Sequence, residues 1–210
     1  MKFPKCDETP LGLYPIVDRA HKLKPLYEVG VTTAQLRVKD MEGEALEAEV
    51  KKAIELSKAY NVRFFLNDYW QLAIKHGAYG VHLGQEDIQE ADIEAIHHAG
   101  LRLGISSHTP KEIEIALGFE PSYLAIGPIF EPISKKMTYE NVGIENLKRW
   151  SEYVDYPIVA IGGITQENIF QVVKSGAASG IAMISAVLNM QGDICQEKTE
   201  RLMRLMVEAK

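Results

Sequence analysis

The chain has 210 residues, 46% of them hydrophobic and 25% charged, as in a soluble globular protein with room for one large buried core. A formal net charge of -6 argues against a nucleic-acid partner while leaving room for a local basic pocket. No apolar run reaches the length of a membrane span, MKFPKCDETP at the N-terminus lacks the apolar core of a signal peptide, and Cys6 and Cys195 read as two unpaired thiols, so a cytoplasmic protein is expected.

In chain order, residues 1–10 read as a short extension. Strands are then predicted over Leu13–Val17, Thr32–Val38, Arg63–Asn67 and Gly80–Gly84, followed by Leu101–Ser106, Ser122–Gly127, Pro157–Gly163 and Gly180–Ser185. Helical spacing fills the gaps. EALEAEVKKAIELSKAY puts Leu46, Val50, Ala53 and Ile54 on one face. Gly100 and Gly118 stand where helices should stop, Thr109-Pro110 reads as an N-cap with proline at the first helical position, and Thr165 to Asn168 opens another helix. Gln191–Lys210 reads as a final helix. Eight strands alternating with helices predict parallel βαβ units closed into one α/β domain over residues 1–210, a (β/α)8 TIM barrel. An open doubly wound sheet is weaker, because no Gly-x-Gly-x-x-Gly turn follows the first strand.

Barrel enzymes place their chemistry where strands finish. The second strand ends in QLRVKD, and its period of two puts Gln35, Arg37 and Lys39 on one face. Any one of these cations suits a solvated surface; an amide, a planar guanidinium and an ammonium in a row suit a polyanion such as diphosphate. The third strand ends in Asn67-Asp68 and the fourth is followed by Gly84 to Asp87. Strands that neighbour each other lie about 4.8 Å apart, so Asp68 and Asp87 can share a hard cation, and magnesium takes one or two carboxylates beside phosphate oxygens. The competing reading makes each aspartate a helix cap. The glycines of AIGGIT, at a predicted strand-to-helix turn, offer backbone N–H groups to an anion; Gly163 with the backbone near Ile184 and Ser185 would form that site. His82 reads as a hydrogen-bonded core residue and His108 as an acid/base candidate. No nucleophile elbow and no zinc spacing occur.

GLYPIVD, QLRVKD, NDYWQLAIKHGAYGVHLGQED, LGISSHT, GPIF, SKK, VAIGGIT and MISA together resemble the thiamine phosphate synthase family, from about Gly12 to Ala186. The resemblance implies a Mg2+-dependent transferase of thiamine biosynthesis. It would join 4-amino-5-hydroxymethyl-2-methylpyrimidine diphosphate to 4-methyl-5-(2-phosphoethyl)thiazole, giving thiamine phosphate and pyrophosphate. By matching motifs, Asp68 and Asp87 would hold Mg2+, and Gln35, Arg37, Lys39, Asn67 and Lys135 would bind the diphosphate. Ser106 would lie beside the reacting pyrimidine and Ser134 would contact the thiazole. Gly163, Ile184 and Ser185 would take the thiazole phosphate. Pro132 stands where the family often has threonine, so the thiazole contact is the least direct transfer. The implied mechanism is dissociative: diphosphate leaves with help from Mg2+, Arg37, Lys39 and Lys135, and closure of the loop Phe130–Gly143 keeps water from the carbocation-like pyrimidine. A thiazole tautomerase of the same fold, kept in play by His108, and a non-catalytic thiamine-phosphate-binding barrel are the alternatives. The expected partners are small molecules, and a homo-oligomer is left open.

Overall fold

The computed structural model describes residues 1–7, 9–131 and 140–209. Eight strands are present: β1 (Gly12–Val17), β2 (Thr33–Leu36), β3 (Arg63–Asn67), β4 (Gly80–Leu83), β5 (Arg102–Ser107), β6 (Tyr123–Ile126), β7 (Ile158–Ile161) and β8 (Gly180–Met183). All pair in parallel with their sequence neighbours, and β8 closes on β1. The expected (β/α)8 barrel is therefore found. Between the strands run α1 (Leu23–Glu28), α2 (Gly43–Ala59), α3 (Trp70–His76), α4 (Asp87–Glu90), α5 (Ile93–His98), α6 (Pro110–Leu117), α7 (Gly143–Ser151) and α8 (Ile169–Ser175), and α9 (Gln196–Glu208) follows β8.

Local signals act largely as the sequence indicates. α2 buries Leu46, Val50, Ala53 and Ile54, the predicted face, together with Ser57. The Thr109 hydroxyl accepts from the Glu112 N–H at 3.2 Å, and Pro110 opens α6. Gly100, just past α5, has φ +71°. Gly118 also follows its helix but stays right-handed at φ -60°, and the left-handed turn falls two residues later on Glu120. The predicted strands run one to two residues long at several carboxyl ends. For β2 the cause is its neighbour: the Arg37 N–H reaches the Val17 carbonyl at 2.7 Å, and β1 has no further residue to pair with.

The barrel interior is filled by aromatic rings set against glycines. Tyr14, Phe65 and Tyr123 lie with ring centroids 5.1 to 6.0 Å apart. A Cβ on Gly104 would stand 2.2 Å from the Tyr123 ring, so β5 needs glycine at that inward position. Below this layer, at the amino ends of the strands, Arg63 is 5% exposed and donates to the Thr9 and Pro10 carbonyls. Phe3 and Cys6 are buried there as well. Above the layer the interior turns polar, with Gln35, Asn67, His82 and Ser106 at the carboxyl mouth. No helix among the described residues is long and apolar enough to cross a membrane.

Candidate active site

Gln35 is buried on β2, while Arg37 and Lys39, just beyond the strand, are exposed around the buried Val38. Exposure thus alternates past the last ladder bond. The Lys39 ammonium contacts the Asp68 carboxylate. Asp68 follows β3 in a left-handed conformation, φ +64°, which non-glycine residues seldom adopt. Its backbone N–H is tied to the His82 carbonyl on β4 at 3.0 Å, and this bond holds the strained residue in place. The capping alternative for Asp68 does not hold: Tyr69 is the N-cap of α3, and no side chain caps that end. Asp87 opens α4 as an exposed residue, and its carboxylate accepts from the Gly84 N–H at 3.2 Å. Asp68 and Asp87 thus stand at the ends of two hydrogen-bonded strands, β3 and β4.

Ser106, at the end of β5, accepts or donates at 2.8 Å to His82 Nε2, while His82 Nδ1 lies 2.8 Å from the Tyr123 hydroxyl. His82 is a hydrogen-bonded interior residue, as its strand position suggests. Its pKa is pushed down to about 4, first by burial and then by the positive charge of Arg37; Asp87 acts in the opposite direction. Arg37 and Asp87 therefore both act electrostatically on the ring beside Ser106. Gln85, in the same β4 turn, donates from its amide nitrogen to the Ser106 carbonyl at 2.6 Å and braces the end of β5. His108 sits differently. Its Nδ1 is 2.9 Å from Glu112, and its backbone N–H donates to the same carboxylate, so this histidine takes part in the start of α6.

On the opposite side of the mouth, β7 and β8 pair as far as Ile161 and Ala182, and Gly163 and Ile184 stand two residues beyond that pair. Gly163 has φ +65°, and a Cβ there would meet the Phe130 carbonyl oxygen at 2.4 Å. The helix expected to open over Thr165 to Asn168 has Asn168 as its N-cap and begins at Ile169. The intervening turn is closed by Asn168, whose amide nitrogen donates to the Gly163 carbonyl at 2.9 Å and whose amide oxygen accepts from the Thr165 N–H at 2.7 Å. Ile184 is 52% exposed and Ser185, also exposed, opens a short 3-10 turn. Asn67 is buried at the end of β3, beside His82. Pro132, Ser134 and Lys135 lie outside the described residues; the ends of their loop are joined where the Val142 N–H donates to the Pro128 carbonyl at 2.8 Å.

Sequence reasoning did not single out Tyr14, Tyr123 or Gln85. Strand parity gives the side of the sheet on which Tyr14 or Tyr123 falls, but their meeting depends on β1–β2 and β5–β6 register, which one sequence does not carry.

The model of the thiamine monophosphate synthase family matches residues 13–187. A thiamine-phosphate synthase of Citrobacter koseri is 52% identical over 178 residues, 84% of this chain and 84% of that protein. One of Escherichia coli O1:K1 / APEC is 51% identical with the same coverage. Among solved structures, a thiamine phosphate pyrophosphorylase from Pyrococcus furiosus superimposes with a TM-score of 0.82 at 30% identity, over 95% of this chain and 96% of the other. An N-(5'-phosphoribosyl)anthranilate isomerase from the same organism, at 13% identity and a TM-score of 0.67 over 94% of this chain and 99% of the other, shares the fold.

Proposed function

The chain belongs to the thiamine monophosphate synthase family and its activity is thiamine-phosphate synthesis, a transferase reaction; from that premise we propose how its mouth residues act. The substrates are the pyrimidine diphosphate and the thiazole phosphate, which leave as thiamine phosphate and pyrophosphate. The reading rests above all on one observation: the Lys39 ammonium, past the end of β2, contacts Asp68 at the end of the neighbouring β3, and Asp87 follows β4, the strand after that.

Arg37 and Lys39 bind diphosphate oxygens, Arg37 through two parallel N–H donors and Lys39 as a point charge. Gln35 and Asn67 add neutral donors. Lys39 then exchanges its contact with Asp68 for phosphate and frees the carboxylate. Asp68 and Asp87 form an all-oxygen donor pair, one of them exposed, which fits magnesium, an ion that takes few protein carboxylates and completes its shell with phosphate and water. Mg2+ bound there would neutralise charge on the departing diphosphate. The cations hold that charge in place while the carbon–oxygen bond of the electron-rich pyrimidine breaks, and the thiazole nitrogen takes the resulting carbocation-like centre. Gly163 and the backbone at Ile184 and Ser185 hold the thiazole phosphate, and Ser134 and Lys135 complete the site. A cytoplasmic location accompanies this reading, supported by the paucity of cysteine; Cys6 is a buried thiol with its pKa pushed up to about 11 by burial.

The test is release of pyrophosphate from the two substrates, with and without Mg2+. Arg37→Ala and Asp87→Ala are each expected to lower kcat roughly 100-fold or more, the usual effect of losing one charge-stabilising group, with unchanged unfolding midpoints. Near-normal turnover in either variant removes the leaving-group site proposed here.

A further inference from the structure

A continuous line of hydrogen bonds crosses the barrel interior beneath the mouth. The Gln35 amide nitrogen donates to the Tyr14 hydroxyl at 3.3 Å, and the Tyr14 and Tyr123 hydroxyls lie 2.9 Å apart. The Tyr123 hydroxyl is 2.8 Å from His82 Nδ1, and His82 Nε2 is 2.8 Å from the Ser106 hydroxyl. These residues stand on β2, β1, β6, β4 and β5, so the line joins five strands. Its middle is rigid. Tyr123 is fully buried, packs on Phe65 and fills the space that Gly104 leaves open.

Donor arithmetic gives the line a direction. An amide nitrogen only donates, so the Tyr14 oxygen accepts from Gln35 and passes its own proton to Tyr123. Tyr123 then has His82 Nδ1 as acceptor. A neutral imidazole that accepts at Nδ1 carries its proton on Nε2 and gives it to the Ser106 oxygen. The Ser106 proton, no longer needed inside the line, is left for an acceptor at the mouth.

We infer that Tyr123 and His82 are positioning residues for the transfer reaction, fixing His82 as the Nε2–H tautomer and turning the Ser106 hydroxyl into a committed donor toward the diphosphate oxygen that gains charge as it leaves carbon. The inference rests on the proposed function and on the place beside the reacting pyrimidine that the family resemblance implies for Ser106. A purely structural line would satisfy the same buried groups without setting the direction of the Ser106 proton.

Two measurements separate these roles. Two-bond proton–nitrogen NMR spectra of the 15N-labelled, folded wild-type protein at neutral pH report which ring nitrogen of His82 is protonated. The Nε2–H pattern is expected. The Nδ1–H pattern means that the line runs the other way, with the Gln35 amide oxygen turned inward, and overturns the inference. The second measurement is a cycle of Tyr123→Phe and Ser106→Ala read as kcat with both substrates. Tyr123→Phe is expected to lower kcat roughly tenfold, the kinetic equivalent of one misdirected hydrogen bond, and to have no further effect once Ser106 is alanine. Equal losses in both backgrounds assign Tyr123 a structural role only and overturn the inference. Should Tyr123→Phe fail to fold, the wild-type spectrum still decides the direction. Ser106→Ala turning over at the wild-type rate would instead overturn the role given to Ser106, a failure distinct from an Nδ1–H spectrum or an additive cycle.

Discussion

His82 shows how one interior side chain links stability to the chemistry above it. Burial is the larger cause of its depressed pKa of about 4, and the Arg37 charge is the second. An unfolded histidine titrates near 6.5. Between these values the unfolded chain binds a proton that the native chain excludes, so acid favours unfolding in that window. The contribution of neutral His82 is fully present above pH 6.5 and is lost as the pH falls toward about 4, amounting to roughly 3 kcal/mol. His82→Asn removes the titrating group. Urea unfolding followed from pH 7 to pH 4 is therefore expected to show a shallower loss of stability in the variant than in the wild type, the two curves diverging mainly between 6.5 and 4. Parallel curves would mean that the ring is not held neutral by the fold. The strand position of His82 was enough to suggest an interior hydrogen-bonded residue. Its partners were not legible, because Tyr123 and Ser106 come from other strands whose register the sequence does not state.

At the scale of elements, the turn between β7 and α8 carries the most specific demand. Gly163 lies so close to Phe130 that a side chain would strike backbone, and Asn168 bridges the turn by bonding Gly163 and Thr165 at once. If this turn presents N–H groups to the thiazole phosphate, its shape should govern binding more than chemistry. Asn168→Ala removes both bonds, each worth about 1 kcal/mol net. Steady-state kinetics should show KM for the thiazole phosphate rising roughly tenfold with kcat within about twofold, alongside a fall of a few degrees in Tm. A fall in kcat with KM unchanged would place the turn in the chemical step instead. Elements of this size were the most legible part of the chain. The apolar face of α2, the cap of α6 and the existence of all eight strands follow from periodicity and capping chemistry, which are local. α8 opens where the sequence indicates, with Asn168 as its N-cap, but the side chains of Thr165 and Asn168 bond within the turn before it and leave the helix end without a side-chain cap. The aspartates are ambiguous in the sequence for a related reason: a carboxylate just before a helix looks like a cap whether or not it is one, and only the structure shows Tyr69 and Glu86 at the N-cap positions with no side-chain cap at either end.

Across the whole molecule, the barrel separates Arg37 and Arg63 by function. Arg37 lies past the carboxyl end of β2 and is exposed; Arg63 begins β3 at the amino end, buried under the aromatic layer. In barrels the carboxyl face carries chemistry and the amino face carries stability. Arg63 donates to the Thr9 carbonyl and hydroxyl at 2.9 and 3.1 Å, to the Pro10 carbonyl at 2.8 Å and to the Thr32 hydroxyl at 3.2 Å. It therefore fastens the segment before β1 across the bottom of the barrel. Its truncation removes the hydrogen bonds of a buried, charged donor, at a cost of about 2–4 kcal/mol. Arg63→Met should accordingly lower the urea midpoint with an unchanged m-value, while kcat and both KM values at 25 °C stay within about twofold of wild type. Arg37→Ala should do the reverse. A circular dichroism melt and an assay on the same two preparations test the separation directly. If folded Arg63→Met protein loses turnover in step with Arg37→Ala, the aromatic layer transmits changes from one face to the other, and the division of labour between the two ends of the barrel fails.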